Sequence, residues 1–223
     1  NDNKFMQDLV RNRNFALPKN SVRDGEAYDI STTIGVKTED GRGHIVAYAT
    51  YRKINQVLQA NRDYSACAVN ASGDSLVCAG SATSAGGVFY LADDTAVTVG
   101  PGNTFVPWTG EGLFNYAPYN HYQRPDKRFT LGAFAHYEVS EHFTPYLELM
   151  FMDDSSIAQI APSGDFGNTT WVNCDNPLMS DQQRDVVCTQ QGYGPTDKAT
   201  MQAYRRNVEG GGRQEDLGHT SYS

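Results

Sequence analysis

KRFTLGAFAHYEVSEHFTPYLELMFMDD, residues 127–154, is two alternating runs joined by a tight turn. In the first run Phe129, Leu131, Ala133, Ala135, Tyr137 and Val139 alternate with Thr130, Gly132, Phe134, His136 and Glu138. In the second, Phe143, Pro145, Leu147, Leu149 and Phe151 alternate with Thr144, Tyr146, Glu148, Met150 and Met152. Period two is the mark of a strand with two unlike faces. A three-residue turn at Ser140 to His142 keeps both apolar rows on one face, opposing Val139 to Phe143, Ala135 to Leu147 and Leu131 to Phe151. Pro145 lacks a ladder donor, which is best tolerated near a strand start.

The apolar face has aromatic residues at its ends and small or aliphatic ones between, as on the outside of a membrane barrel bounded by aromatic girdles. Eight steps from Phe129 to Tyr137 at ~3.3 Å each span roughly 26 Å, or about 20 Å along a membrane normal after a tilt of ~40°. The opposite face mixes Glu138, Glu148 and His136 with Gly132 and Met150, which suits a wet lumen and not a dry core. The competing reading of this hairpin is part of a soluble β-sandwich.

Working outward, alternation begins at Glu26, with Tyr28, Ile30, Thr32, Ile34 and Val36 on one face and Ala27, Asp29, Ser31, Thr33 and Gly35 on the other. TEDGRG makes a turn, and a return strand runs from His44 to about Leu58, with Ile45, Ala47, Ala49 and Tyr51 as its outward row. Residues 1–25 read as the tail of a loop, with an amphipathic patch at Phe5, Met6, Leu9 and Val10 fit for about two helical turns. Residues 59–126 and 155–198 are long polar connections, and ATMQAYRRNVEGGGRQEDLGHTSYS predicts a strand, a glycine-rich turn at Glu209 to Gly212 and a further strand. The short turns TEDGRG, SEH and EGGGR thus alternate with long loops, as periplasmic turns and extracellular loops do in outer-membrane barrels. The expectation is an all-β, antiparallel transmembrane β-barrel fragment of about five or six strands.

Charge and composition narrow the function classes. A net charge of −8 over 223 residues, with no cluster of Lys and Arg, predicts no nucleic-acid partner. No apolar run approaches the ~18–20 residues of a membrane helix, a test that a β-barrel escapes. The chain opens NDNKFMQDLV, without initiator Met or signal-peptide pattern, and stops within the strand pattern GHTSYS, so the expectation is an internal fragment or incomplete gene product. Four cysteines, Cys67, Cys78, Cys174 and Cys188, allow three connectivities. Local pairs, Cys67 with Cys78 and Cys174 with Cys188, fit an oxidising periplasm or cell surface. A zinc site is disfavoured, because no pair has C-x-x-C spacing and no His sits beside one.

The wording of the chain adds to its pattern. NYAPYNHYQRPDKRFTLGAFAHYEVSEHFTPYLELMFMDDSSIAQIAPSG, CDNPLMSDQQRDVVC, RRNVEGGGRQEDLGHTSY and GVKTEDGRGHIVAYATYRKINQVLQANRDYSAC together resemble the barrel of a TonB-dependent outer-membrane receptor. The resemblance covers most of the chain. It implies a barrel of about 22 strands closed by an N-terminal plug and TonB-driven uptake of scarce large solutes such as siderophores, vitamins or glycans. It also implies outer-membrane lipid as surroundings and the TonB complex as a partner, met through a plug that this chain lacks. No plug, TonB box or C-terminal closing strand is found here, and because the matching segments are wall and loop, no functional residue of the family carries over.

No catalytic constellation is found. Glu138 and Glu148 are not opposite each other, facing Thr144 and Phe134, and read as solvated lumen charges. None of His44, His121, His136, His142 and His219 has an i, i+4 partner, and no nucleophile elbow or phosphate loop occurs. The reading is therefore of a protein without catalytic residues, cofactor or metal. The candidate ligand-binding residues are Trp108, Phe114, Tyr116, Tyr119, Tyr122 and Arg124, near Phe105 in the first long loop, where aromatic rings suit a ring-bearing or sugar ligand. Against this stands simple packing of the loop. Against the transport receptor stands a secreted, soluble β-rich ligand- or carbohydrate-binding module.

Overall fold

The computed structural model describes residues 1–223. Helix α1 (Lys4–Asn12) precedes two long strands, β1 (Ala27–Lys37) and β2 (Gly43–Ile54). The first long connection holds β3 (Val57–Leu58), β4 (Val69–Ser72), β5 (Ser75–Cys78), β6 (Val88–Tyr90), β7 (Ala96–Gly100), β8 (Thr104–Pro107) and β9 (His121–Gln123). Then come β10 (Asp126–Tyr137) and β11 (Tyr146–Ile160). The second connection holds β12 (Gly164–Asn173), the single turn α2 (Asp181–Arg184) and β13 (Lys198–Arg206), and β14 (Arg213–Tyr222) follows.

The long strands make one antiparallel sheet in the order β1-β2-β10-β11-β14. Its register is the one that keeps apolar rows together: Leu131 faces Phe151, Ala133 faces Leu149 and Ala135 faces Leu147. The row continues across β2, where Phe129, Leu131, Ala133 and Ala135 meet Tyr51, Ala49, Ala47 and Ile45. In β1 it ends on Ile34 and Ile30, opposite Ala47 and Tyr51. Nothing covers this face: Ile30 is 65% exposed, Ile34 63% and Leu149 50%. The sheet is open, with β1 and β14 at its edges.

The opposite face is polar along one rung. Asp29 faces Arg52, Arg52 faces Arg128, Arg128 faces Asp154 and Asp154 faces His219. Arg128 Nη2 donates to Asp154 Oδ2 at 3.0 Å, so charges of both signs share a face that no apolar core seals. Nearer the short turns, Tyr48 lies over Gly132 in place of the side chain that glycine lacks, and its ring stacks on Phe134 with centroids 6.1 Å apart.

Both hairpins of the sheet close through short turns at one end, and both long connections leave from the other. The Thr38 to Arg42 turn is built by side chains: Thr38 Oγ1 accepts from Gly43 N at 2.8 Å and Asp40 Oδ1 from Arg42 N at 3.1 Å. Tyr137 Oη donates to Asp40 Oδ2 at 2.8 Å, tying this turn to the end of β10. Hydrogen bonds from Thr38, then Tyr137 and the Arg42 main chain, hold the Asp40 carboxyl well below the usual range.

A second antiparallel sheet, ordered β12-β13-β6-β7-β8, is assembled from the two long connections. Its core is Leu91, Val97, Cys174, Val187, Cys188, Ala199 and Met201. A bulge at Gly167, whose φ of 93° is open to glycine, leaves room for Tyr204 where β12 crosses β13. A smaller core places Val10 of α1 against Ala66, Cys67 and Cys78. Asn3 caps this helix by accepting from Met6 N at 3.2 Å. Both disulfides pair locally, Cys67–Cys78 with Cα atoms 5.6 Å apart and Cys174–Cys188 with 5.9 Å.

Three expectations are corrected. The Glu209 to Gly212 segment is not a hairpin turn, because β13 spends its two edges on β12 and β6 while β14 pairs with β11. In consequence Ala199, Met201 and Ala203 of β13 are buried in the second sheet, away from the exposed face. The return strand ends at Ile54, and Val57–Leu58 turns away to pair with β9. Finally, β11 runs to Ile160, six residues past Asp154, because β14 supplies partners for its polar half from Asp154↔His219 to Ile160↔Arg213.

Candidate functional site

At the long-loop end lies a cleft of about 830 Å³, within the ~300–1,000 Å³ of small-molecule sites. Trp108, Phe114 and Tyr119 line it, and Phe15, Leu113 and Pro118 add to its apolar part. Asn14, Ser84, Thr98, Thr109, Glu111 and Asn115 supply the polar part.

Each ring is held by its own element. Trp108 extends the β7–β8 ladder by donating its main-chain N–H to Ala96 O at 2.9 Å. Its indole Nε1 donates to Glu111 O at 2.8 Å and closes the loop that follows. Phe114 exchanges main-chain hydrogen bonds with Ser81 at 2.8 and 2.9 Å. Tyr119 ends a short 3-10 turn, Ala117–Tyr119, and stacks on Phe114 with centroids 5.6 Å apart. Its carbonyl accepts from Gln159 Nε2 at 2.8 Å, so the cleft is anchored to β11. Asn115 is spent on structure, donating Nδ2 to Ala66 O at 2.8 Å.

Behind Phe114 sits Arg206, the last residue of β13 and only 4% exposed. Its guanidinium carbon lies 5.0 Å from the Phe114 centroid and 4.8 Å from that of Phe166. Nη1 donates to Pro162 O at 3.0 Å and Nε to Thr83 O at 3.3 Å, with no carboxylate partner. Burial, and secondarily Arg213, lowers its pKa from the ordinary arginine value. From such a starting point the group stays charged at neutral pH. It acts as a pin holding the first loop to the second, and the only formal charge lining the cleft is Glu111.

The six residues expected from the sequence divide evenly. Trp108, Phe114 and Tyr119 come together in the cleft. Tyr116 precedes the 3-10 turn outside the lining, and Arg124 is exposed beyond β9. Tyr122 packs edge-on against Tyr64 at 5.5 Å, and Phe105 packs on Phe89 at 5.3 Å against the second sheet's core. Loop packing therefore explains part of the aromatic cluster. Asn14 and Phe15, from the end of α1, and Ser84 carried no local signal, since about 100 residues of chain separate the first two from Tyr119.

The register also joins residues that their spacing kept apart. His44 and His136 face each other across β2 and β10 with ring centroids 6.0 Å apart. No third His, Cys, Asp or Glu completes a metal-binding group there or elsewhere. Glu148 faces Phe134 as expected, while Glu138 leaves the ladder to donate its main-chain N–H to Arg42 O at 2.9 Å. Neither arrangement forms an acid/base pair.

Compared with family models, curated proteins and solved structures, the chain matches none.

Proposed function

We propose that this chain is wall and loops of an outer-membrane β-barrel receptor of the TonB-dependent kind, taking part in energy-coupled uptake of a scarce solute. The observation that carries the reading is the five-stranded meander with its apolar face uncovered, short turns at one end and long connections at the other. A water-soluble domain rarely leaves so large an apolar area open, whereas lipid covers such a face in a barrel. The polar rung on the other face suits a wet lumen. In this reading further strands complete the wall at β1 and β14, since open edges are not tolerated in lipid, and the TonB complex acts through a plug outside this chain. The loop sheet lies on the extracellular side, where oxidised cysteines persist.

The alternative of a secreted binding module draws on one observation, the separate sealed core of the loop sheet. Tryptophan fluorescence in bilayers with brominated acyl chains separates the two. In full-length protein with other tryptophans replaced, Leu149→Trp is expected to be strongly quenched and Met150→Trp largely spared, because successive strand residues point to opposite faces. Quenching at neither position would sink the membrane reading; a reversed pattern would place lipid on the other face.

A further inference from the structure

We propose that the loop cleft binds a neutral, polyhydroxylated ligand, a short uncharged oligosaccharide, with Trp108 as its stacking platform. The inference deepens the receptor reading and rests on it for the site's orientation toward the outside.

Three observations converge. First, the rings are not equally committed. Phe114 is packed between structural neighbours, with Arg206 and Tyr119 both on it, whereas Trp108 has only an edge contact with Tyr90 at 6.5 Å and a hydrogen bond through Nε1. An indole face held in place by its own N–H is a pre-organised surface for the apolar C–H side of a sugar ring.

Second, the cleft carries polar side chains whose hydrogen-bonding capacity the fold does not use. Asn14, Ser84, Thr109 and Glu111 line it, and none of these side chains bonds another protein group, nor does the Tyr119 hydroxyl. Apolar walls with a few convergent donors and acceptors define orientation in small-molecule sites. Hydroxyls of a sugar match this mixed set, being both donors and acceptors.

Third, the charge is wrong for an anion. No Lys or Arg lines the cleft, and its one ion is the Glu111 carboxylate. Arg206 is screened behind Phe114 and bonded to two main-chain carbonyls. Arg13 rests on the Phe15 ring, 5.8 Å from its centroid, and is not part of the lining. An anionic chelate or uronate would surrender its hydration to a site that offers no cation and presents a like charge.

The test uses the full-length protein in lipid nanodiscs on an array of neutral, anionic and aminated oligosaccharides, with a ferric tris-catechol complex as a separate arm. Neutral oligosaccharides are expected to bind, with affinity falling at least 10-fold in Trp108→Ala. Thr109→Val, which keeps volume and removes a hydroxyl, is expected to cost several-fold, and Leu178→Ala, on the other loop, to change nothing. Thr109→Val guards against a Trp108 variant that merely loosens its loop. Preference for the anionic, aminated or ferric probes, or no retention of any neutral glycan, overturns the proposal while leaving the receptor reading in place. If the bilayer quenching test fails, the receptor reading falls, and the same array, run without lipid, still decides the ligand class.

Discussion

At the scale of single residues, the fold shows its requirements where space or charge is fully used. Gly132 faces Tyr48 across β10 and β2, and any Cβ there collides with the hydroxyl end of the Tyr48 ring. Gly132→Val is expected to destabilise by about 1–3 kcal/mol through overpacking, and much less in a Tyr48→Ala background. Denaturant unfolding of both singles and the double variant measures the coupling. Asp24 and Arg62 form a second such pair, with Oδ1 and Nη2 2.6 Å apart and side chains 14% and 24% exposed. The Arg62 hydrogen bond, the largest cause, lowers the Asp24 pKa. Its stabilisation is therefore whole above the unfolded value of ~3.9 and is lost as pH falls through the lower folded value. Hydrogen-exchange protection around residues 59–65, corrected for the intrinsic pH dependence of amide exchange, is expected to fall below about pH 4 in the parent and to stay level in Asp24→Asn, at a scale of about 1 kcal/mol. Equal acid sensitivity in both would remove the pair from the account.

Among elements, the long connections owe their order to cross-links and small cores more than to their own regular structure. Cys67–Cys78 staples the β4–β5 hairpin on which Val10 of α1 rests. A bridge over a loop of this size contributes about 2–4 kcal/mol, chiefly by restricting the unfolded chain. Replacing both cysteines by serine is expected to release α1 before the large sheet is affected, read by early proteolysis within residues 1–25. Cys174–Cys188 lies in the core of the second sheet beside Leu91, Val97 and Met201. The corresponding double serine variant is expected to expose that core to a hydrophobic dye while the Cys67–Cys78 variant does not. Identical cleavage patterns in the two variants would show that the two cores are one cooperative unit.

For the whole molecule the governing fact is a large sheet whose two faces differ and whose apolar face meets no other element. In the membrane reading, Leu149→Arg is expected to cost ~2–4 kcal/mol near the bilayer midplane, and Met150→Arg, on the face with Glu148 and Arg128, much less. Urea titration from lipid vesicles reports both. Equal costs would mean that the two faces share one environment. The same geometry gives the cleft its support, since Tyr119 is bonded to Gln159 of β11 and the last residue of β13, Arg206, braces Phe114.

What the sequence by itself determined is whatever a short stretch can encode. The Leu131↔Phe151 register, the position of the turn between β1 and β2, the apolar row through Ile45 and Ile34 and the local cysteine pairs all depend on alternation or spacing within a few dozen residues. Only the tertiary structure decided where β13 belongs, because a run such as Ala199, Met201 and Ala203 is equally apolar against lipid or against Leu91 and Val97. It also decided which aromatics form a site. Trp108 and Tyr122 are both aromatic residues of the first long connection, but Trp108 opens into a cleft with Asn14, Phe15 and Ser84, while Tyr122 lies outside it with its edge contact to Tyr64. Binding surfaces of this kind are made by long-range packing of loops, and the free energy that selects one packing over another is spread over contacts that no local pattern contains.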